Sequence, residues 1–222
     1  MHNIMYLIFI FLGFVLPFLS CLIINKKLKI VSLEYLFYSF ILFLIFFLLF
    51  SKIFHVILEC DINSLIVFIK SNFIIDKLKF ILSGYSFIGG YIGSIIVVFI
   101  FSKIIKNKDL LIIYFPNFNL MYGILKIGCH IKGCCGSFLD VPIQLIESVL
   151  NIIIYLLIIK NINKISKNKI IGISLISFGI IRFIISLFRL YNYFYSFILI
   201  QLFCLLLIII GIKTILNKKI AI

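Results

Sequence analysis

Long apolar runs separated by short polar segments make up most of the chain. Each run is long enough to cross the roughly 30 Å hydrocarbon core of a bilayer as a helix. The runs lie at about 4–25, 33–54, 84–105, 110–129, 143–160, 170–190 and 194–216. The pattern predicts an all-α polytopic membrane protein with seven transmembrane helices. No repeat, linker or soluble segment interrupts the series, so residues 1–222 are predicted to form a single integral membrane domain.

Two segments depart from this simple pattern. The fourth run is the weakest because it contains Pro116, Asn117 and Asn119, and these residues predict a broken or tilted helix. The segment 55–80 mixes acidic, basic and apolar residues. Such a composition favours an interfacial segment, lying along the membrane surface, over an eighth span.

The distribution of lysine predicts the orientation in the membrane. Lysine and arginine accumulate in the loops that face the cytoplasm. If the N-terminus lies outside, every predicted cytoplasmic segment contains a lysine cluster. These clusters comprise Lys26, Lys27 and Lys29; Lys103, Lys106 and Lys108; Lys160, Lys164, Lys167 and Lys169; and Lys213, Lys218 and Lys219. We therefore predict an external N-terminus and a cytoplasmic C-terminus.

The composition supports the membrane assignment and excludes several classes of protein. Of 222 residues, 64% are hydrophobic and 13% charged, and the mean hydropathy is +1.32. A soluble domain has about 25% charged residues, so a water-soluble enzyme, a disulfide-stapled extracellular scaffold and a disordered regulator are excluded. The net charge of +14 lies in short clusters between apolar runs. This arrangement predicts attraction to anionic membrane lipids and no binding of nucleic acid.

The two arginines of the chain lie in the sixth apolar run. Arg182 is deep in that run and Arg189 is near its outer end, and the chain has 21 basic residues in all. An ionisable residue within a span is a candidate functional residue. A spacing of seven residues predicts that both arginines share one helix face with Ser186 between them. The planar guanidinium suits bidentate contact with phosphate, whereas Arg189 also lies where a side chain extends to the lipid headgroups.

Cysteine, histidine and glycine are concentrated at the outer end of the fourth run. The segment "LMYGILKIGCHIKGCCGSF" contains Lys126, Cys129, His130, Cys134 and Cys135. A metal site, a redox pair and small packing thiols are the three alternatives. Adjacent cysteines converge poorly on one ion, so packing is favoured and neither a metal nor a cofactor is expected. The thiols of Cys21 and Cys204, within apolar runs, are predicted to be inert core residues.

Two further segments contain candidate residues. "SGYSFIGGYIGS" places Gly89 and Gly90 where they either allow close helix packing or expose backbone to a headgroup. In "DVPIQLIESVLN", Gln144 and Glu147 share a helix face. Glu147 is either an interfacial cap or a cavity residue that faces the arginines.

The order of these segments resembles the prolipoprotein diacylglyceryl transferase family of bacterial cell membranes. "SGYSFIGGYIG" is similar to the family's glycine-rich stretch, "LKIGCHIKGCCG" to its signature and "VPIQLIES" to its H-P-[ST]-Q-L-Y-E element. "FGIIRFIISLFR" is similar to its arginine-bearing Y-G-x-x-R-F-x-x-E-F-x-R element and "FILIQLFCLLLIIIGI" to its final span. The resemblance covers about residues 80–216, and the first 80 residues match only in hydropathy.

The resemblance implies a function and a set of site residues. The family transfers the diacylglyceryl group of phosphatidylglycerol to the lipobox cysteine of a prolipoprotein and releases glycerol phosphate. The resemblance implies that the chain is a multi-pass protein of the bacterial inner membrane. Its implied partners are phosphatidylglycerol, the prolipoprotein signal peptide and membrane lipids. Arg182, His130 and Glu147 are the candidate catalytic residues. The candidates for binding the substrate phosphate are Lys126, Arg182 and Arg189, and those for headgroup contact or packing are Gly89, Gly90, Gly128, Gly133 and Gln144.

The chain also departs from the family pattern. Ile88 stands at the position of a family histidine, and Ser186 replaces the glutamate between the two arginines. Lys126 replaces an arginine of the signature, Cys129 its asparagine and Cys134 its glutamate. The cations for phosphate are retained while acid–base groups are lost. Two alternatives to the transferase are therefore an inactive relative that binds anionic phospholipid, and a membrane thiol or metal protein.

Overall fold

The structure, a computed structural model, describes residues 2–59, 66, 70, 85–133, 136, 141–191 and 193–217. Seven α-helices in these residues are long and apolar enough to cross a membrane, as predicted. They are α1 (His2–Leu28), α2 (Leu33–Glu59), α3 (Phe87–Ile104), α4 (Leu110–Lys132), α5 (Ile143–Lys160), α6 (Lys167–Leu187) and α7 (Phe194–Leu216).

Helix α4 is continuous, so the break predicted at its proline is absent. Pro116 has no N–H to donate to the carbonyl one turn earlier, but the helix runs through it. One residue later, the Asn117 side chain donates a 2.7 Å hydrogen bond to the Ile113 carbonyl. Helix α4 tolerates its polar residues because protein surrounds it. In its most apolar 18-residue window 78% of the residues are buried, against 22–50% in the corresponding windows of the other helices. It is the central helix of the described bundle.

The other helices are arranged around α4 in closely packed pairs. Helices α1 and α5 pack along α4, α2 packs along α3, and α6 packs along α7. Gly89 and Gly90 permit the close approach of α3 to α2, since a Cβ added at Gly89 would overlap the Phe50 carbonyl oxygen and one at Gly90 the Ser51 hydroxyl. The packing alternative for this glycine segment is therefore the one that the structure supports.

The connections between helices form two distinct ends. At one end, which we call the basic end, the Asn107 side chain donates a 2.7 Å hydrogen bond to the Ile30 carbonyl, and Lys167 pairs with Asp109. The connecting segments of this end, 29–32, 105–109 and 161–166, contain Lys29, Lys106, Lys108 and Lys164, and further lysines lie in the adjoining helix ends. At the opposite end, the Ser86 N–H donates to the Ser51 carbonyl. The external N-terminus stays a prediction.

Two boundaries differ from their predictions. Helix α2 continues to Glu59, so His55 belongs to a helix and not to an interfacial segment. Most of the remainder of 55–80, at 60–65, 67–69 and 71–80, lies outside the described residues. Helix α6 ends at Leu187 and not near residue 190, which leaves Arg189 beyond the helix.

Candidate functional site

A single buried carboxylate organises the polar groups in the interior of the bundle, toward the end opposite the basic end. Glu147 Oε1 accepts a 2.8 Å hydrogen bond from Arg182 Nη1. Its second oxygen, Oε2, lies 2.9 Å from Lys126 Nζ. The Tyr122 hydroxyl also donates a hydrogen bond to Oε1. We call Tyr122, Lys126, Glu147 and Arg182 the Glu147 cluster.

Three helices contribute to the Glu147 cluster. Tyr122 and Lys126 are four residues apart on α4 and therefore lie on one face of it. Glu147 lies in the second turn of α5, and Arg182 lies five residues before the end of α6. The Tyr122 ring lies between the cations, with its centre 5.1 Å from Lys126 Nζ and 5.9 Å from Arg182 Cζ. Each cation thus contacts both the carboxylate and an aromatic face.

The Glu147 cluster is enclosed and has an excess of positive charge. The side chains of Lys126, Glu147 and Arg182 are 8%, 1% and 7% exposed. One negative charge faces two positive charges, so the cluster has a formal charge of +1. A buried charge is costly unless it is paired. The excess positive charge makes the cluster a candidate site for an anion.

A second polar layer follows Arg182 on α6. The Ser186 hydroxyl donates a 2.8 Å hydrogen bond to the Phe183 carbonyl and accepts one of 2.8 Å from Gln201 Nε2 of α7. Gln201 Oε1 is buried and has no hydrogen-bond partner among the described residues. An enclosed acceptor of this kind can take a donor from a ligand hydroxyl.

Arg189 does not share a helix face with Arg182, because α6 ends first. It is half-buried in the connection to α7, where its Cζ lies 5.6 Å from the centre of the Tyr191 ring. Burial raises the pKa of the Tyr191 phenol, and the charges of Arg182 and Arg189 partly offset the rise. The phenol therefore stays protonated at neutral pH and can donate a hydrogen bond next to Arg189.

The remaining predicted site residues on α4 and α5 have different environments. His130 is exposed near the end of α4 and lies outside the contacts of the Glu147 cluster. Gly128 packs on α1, because an added Cβ would lie 3.1 Å from Phe9 Cβ. Gly133 ends α4 with a φ of 67°, a conformation that glycine adopts without strain. Gln144 is buried, as Glu147 is, on the inner face of α5.

Ile88 lies in an apolar environment instead of a polar one. It is buried with Ile200 and Cys204 in a small cluster against which Phe183 and Tyr191 pack. An apolar pocket of about 200 Å³ adjoins it between α2, α3 and α7. The pocket is lined by Phe54, Ile57, Leu58, Ile88, Ile92, Leu199, Ile200 and Phe203. The side chain that replaces the family histidine thus lines a space suited to hydrocarbon.

The described cysteines lie in packed surroundings and form no metal-binding group with other described side chains. No group of three or more His, Cys, Asp and Glu side chains in the described part of the chain could hold a metal ion. The Cys21 and Cys204 thiols are buried and free, as expected of core residues. Cys129 is half-buried, and Cys134 and Cys135 lie outside the described residues.

The sequence did not reveal three residues that complete the site. Tyr122 lies one turn before Lys126. This spacing places both on one helix face, so the choice of Lys126 as a site residue also points to Tyr122. Asn151 donates a 2.7 Å hydrogen bond to the Glu147 carbonyl, again one turn away. Gln201 is distant in sequence from every other polar residue of the site, so only the packing of α7 on α6 reveals its role.

A comparison with known protein families identifies the family of the chain. A family model for prolipoprotein diacylglyceryl transferase matches residues 2–217. The match includes α1 and α2, whose sequence motifs alone showed no likeness to the family beyond hydropathy. No curated protein sequence matches the chain. With nearly the whole length matched, all seven described helices included, the chain belongs to the prolipoprotein diacylglyceryl transferase family.

Proposed function

We propose that the protein transfers the diacylglyceryl group of phosphatidylglycerol to the lipobox cysteine thiol of a prolipoprotein in a bacterial inner membrane. The observation that carries the proposal is the excess positive charge of the buried Glu147 cluster. A leaving phosphate gains negative charge in the transition state, and fixed cations in a dry site stabilise that charge strongly. Arg182 and Lys126 are those cations.

The proposed reaction is a displacement at carbon. The acceptor sulfur forms a bond to the glycerol carbon that bears the phosphate, and the bond between that carbon and the phosphate oxygen breaks. Its electron pair stays on the phosphate oxygen, and glycerol phosphate leaves. The thiol must lose its proton, because the thiolate is the nucleophile. His130 is the candidate acceptor of that proton, since imidazole is the side chain best suited to accept one near neutral pH.

Glu147 has a positioning role in this proposal. Its Oε1 already accepts hydrogen bonds from Tyr122 and Arg182, and its Oε2 lies 2.9 Å from Lys126 Nζ. A carboxylate that is occupied in this way holds the cations in place and is poorly suited to take a further proton. The arrangement keeps both cations oriented before the substrate arrives, so little reorganisation is needed during reaction.

The apolar pocket beside Ile88 provides a place for one acyl chain of the donor. Its lining is almost entirely hydrocarbon. Phe183, the residue that follows Arg182 on α6, packs against the cluster of Ile88, Ile200 and Cys204 that adjoins the pocket. A phospholipid with its phosphate at Arg182 would thus have an apolar pocket near its glycerol. Gly89, Gly90 and Gly128 serve packing, and no headgroup contact is assigned to them.

The test is transfer from labelled phosphatidylglycerol to a synthetic lipobox peptide in membranes containing the protein. Wild-type protein should form the thioether product and release one glycerol phosphate per transfer. Complementation of a strain depleted of its own transferase is the second readout. Absence of both, in protein that inserts normally, would contradict the proposal.

A second candidate function is binding of anionic phospholipid without transfer. The buried apolar environment of Ile88 favours it, because no titratable side chain occupies the position of the family histidine. This candidate keeps the anion-binding Glu147 cluster and omits the reaction. It is distinguished by phosphatidylglycerol binding that depends on Arg182 in protein that forms no thioether.

The membrane orientation has its own test. Reporter enzymes fused after Lys29, Lys106 or Lys164 should give a cytoplasmic signal, because these lysines belong to the basic end. A reporter in the segment 137–140 should give an external signal. A cytoplasmic signal from 137–140 would contradict the orientation and leave the seven helices unaffected.

A further inference from the structure

A groove of about 490 Å³ opens at the basic end, far along the bundle from the Glu147 cluster. Four segments meet there: the end of α1 with its following turn, the start of α4, the connection from α5 to α6, and the start of α6. The lining residues are Lys27, Leu28, Lys29, Ile30, Asp109, Ile112, Ile162, Asn163, Ile165, Lys167 and Ile170. We call this the basic groove. Its volume is typical of ligand-binding pockets.

The basic groove has an excess of positive charge. Its lining contains three lysines and one aspartate, a formal charge of +2. Asp109 is paired with Lys167. Lys27 and Lys29 are exposed and form no ion pair with any residue that the structure describes. Their ammonium groups are therefore available to an anion.

The turn that holds Lys29 is tied by hydrogen bonds to two asparagine side chains. Lys29 has a φ of 50°, a left-handed conformation that a residue with a side chain adopts only when its surroundings enforce it. The enforcing group is the buried Asn25, whose side chain donates a 2.8 Å hydrogen bond to the Val31 carbonyl and accepts one of 3.0 Å from the Val31 N–H. Asn107 fixes the Ile30 carbonyl from the other side at 2.7 Å. The backbone that holds Lys29 at the rim is thus fixed by hydrogen bonds on both sides.

Two helix N-termini add to the positive potential. Helices α4 and α6 both begin beside the basic groove, at Leu110 and Lys167. Neither receives a side-chain hydrogen bond from its N-cap residue, Asp109 or Ser166, within the described part of the chain. The Asp109 carboxylate turns to Lys167 instead. Helix N-termini favour anions, and phosphate in particular.

Apolar residues form the rest of the lining. Five isoleucines and one leucine border the lysines, so the basic groove offers charge at its rim and hydrocarbon beside it. A phosphate attached to an apolar body matches both parts. The position at the end of a membrane-spanning bundle places the basic groove at the level of lipid headgroups.

We propose that the basic groove binds a phosphate-bearing anion, either the headgroup of an anionic phospholipid or a free phosphate. This site is separate from the Glu147 cluster and does not depend on the transferase function. An anion there would join the ends of α1, α4 and α6 and so stabilise the basic end of the bundle.

The experiment measures binding to purified protein in a neutral detergent. The two probes are dihexanoyl phosphatidic acid and inorganic phosphate, with dihexanoyl phosphatidylcholine as the lipid without net charge. The groove variant Lys27→Gln, Lys29→Gln, Lys167→Gln is compared with the control variant Lys108→Gln, Lys164→Gln, Lys169→Gln. Both variants lose three exposed lysines of the basic end, but the control residues do not line the basic groove.

We expect the groove variant to bind phosphatidic acid about tenfold more weakly than the control variant does, and to gain less thermal stability from it. If inorganic phosphate shows no groove-dependent binding, the ligand is a lipid headgroup. If the groove variant loses inorganic phosphate as well, the ligand is free phosphate. Either result supports the proposal.

Equal losses in the groove and control variants would overturn it, because binding would then reflect surface charge alone. Equal binding of the phosphatidylcholine probe would overturn it as well. If the triple variant does not fold, Lys29→Gln and Lys108→Gln are compared in its place. These two exposed lysines should then differ by about threefold in phosphatidic acid affinity, and the absence of any difference would contradict the proposal.

Discussion

The two ends of the bundle use charge in opposite ways. At the basic end the lysines are exposed, and the pair between Lys167 and Asp109 has side chains that are 63% and 36% exposed. In the Glu147 cluster, toward the other end, the paired side chains are almost wholly enclosed. Exposed pairs contribute roughly 0–1 kcal/mol, whereas breaking a buried pair costs about 3–5 kcal/mol. Similar residue types are therefore predicted to orient the protein at one end, and they hold a fixed geometry at the other.

The largest expected effect is on transfer after a change of Arg182. Arg182→Ala should lower the transfer rate about 100- to 1000-fold, because removing one donor to a developing anion costs about 2.7–4 kcal/mol. Arg182→Lys should also impair transfer, since the planar fork is lost. Arg189→Lys is the matched control and should have a milder effect, because Arg189 is only half-buried outside α6. The measurement is the rate of thioether formation at equal protein levels. Near-normal transfer by inserted Arg182→Ala protein would show that the arginine is structural.

The next largest effect is on stability. Glu147→Gln leaves Lys126 and Arg182 buried without a countercharge, so the free energy of unfolding should fall by about 3–5 kcal/mol. Asp109→Asn breaks the exposed pair at the basic end and should cost less than about 1 kcal/mol. Both values are obtained from denaturant unfolding in detergent. Equal losses of unfolding free energy in the two variants would contradict the inferred difference between the buried and the exposed ion pairs.

A smaller effect is expected where helices approach through glycine. Gly89→Ala places a Cβ against the backbone carbonyl of Phe50, which cannot move without displacing α2. We expect a loss of about 1–3 kcal/mol in unfolding free energy, the usual cost of overpacking. In Gly13→Ala, the control, the nearest obstacle is the Leu125 side chain, which has rotamer freedom to move. A greater loss for Gly13→Ala would argue against close packing of α3 on α2.

The smallest effect concerns exposed lysines that line neither the basic groove nor the apolar pocket beside Ile88. Lys108→Gln combined with Lys169→Gln should change the unfolding free energy by no more than about 0.5 kcal/mol. Transfer should be unchanged, because both residues lie at the end away from the Glu147 cluster. The same unfolding and thioether measurements apply. A tenfold loss of transfer would show that the basic end takes part in the reaction.

The sequence identified most members of the Glu147 cluster but not the contacts between them. Lys126, Glu147 and Arg182 were identified from chemistry, depth and resemblance, and the structure brings all three together. Arg189 was placed on the helix face of Arg182, yet α6 ends at Leu187. No sequence pattern selected Tyr122 or Gln201 as a site residue, because a single tyrosine or glutamine in an apolar run has no local feature that marks it as functional.

The sequence by itself determined the seven helices, since hydropathy and length act locally and every span satisfies its own backbone hydrogen bonds. It also determined where lysine accumulates. The tertiary structure alone decided that α4 is the central helix, because burial depends on which helices surround it. It decided as well that one carboxylate on α5 faces two cations from α4 and α6. Such a convergence depends on helix packing across distant parts of the chain, and no local pattern encodes it.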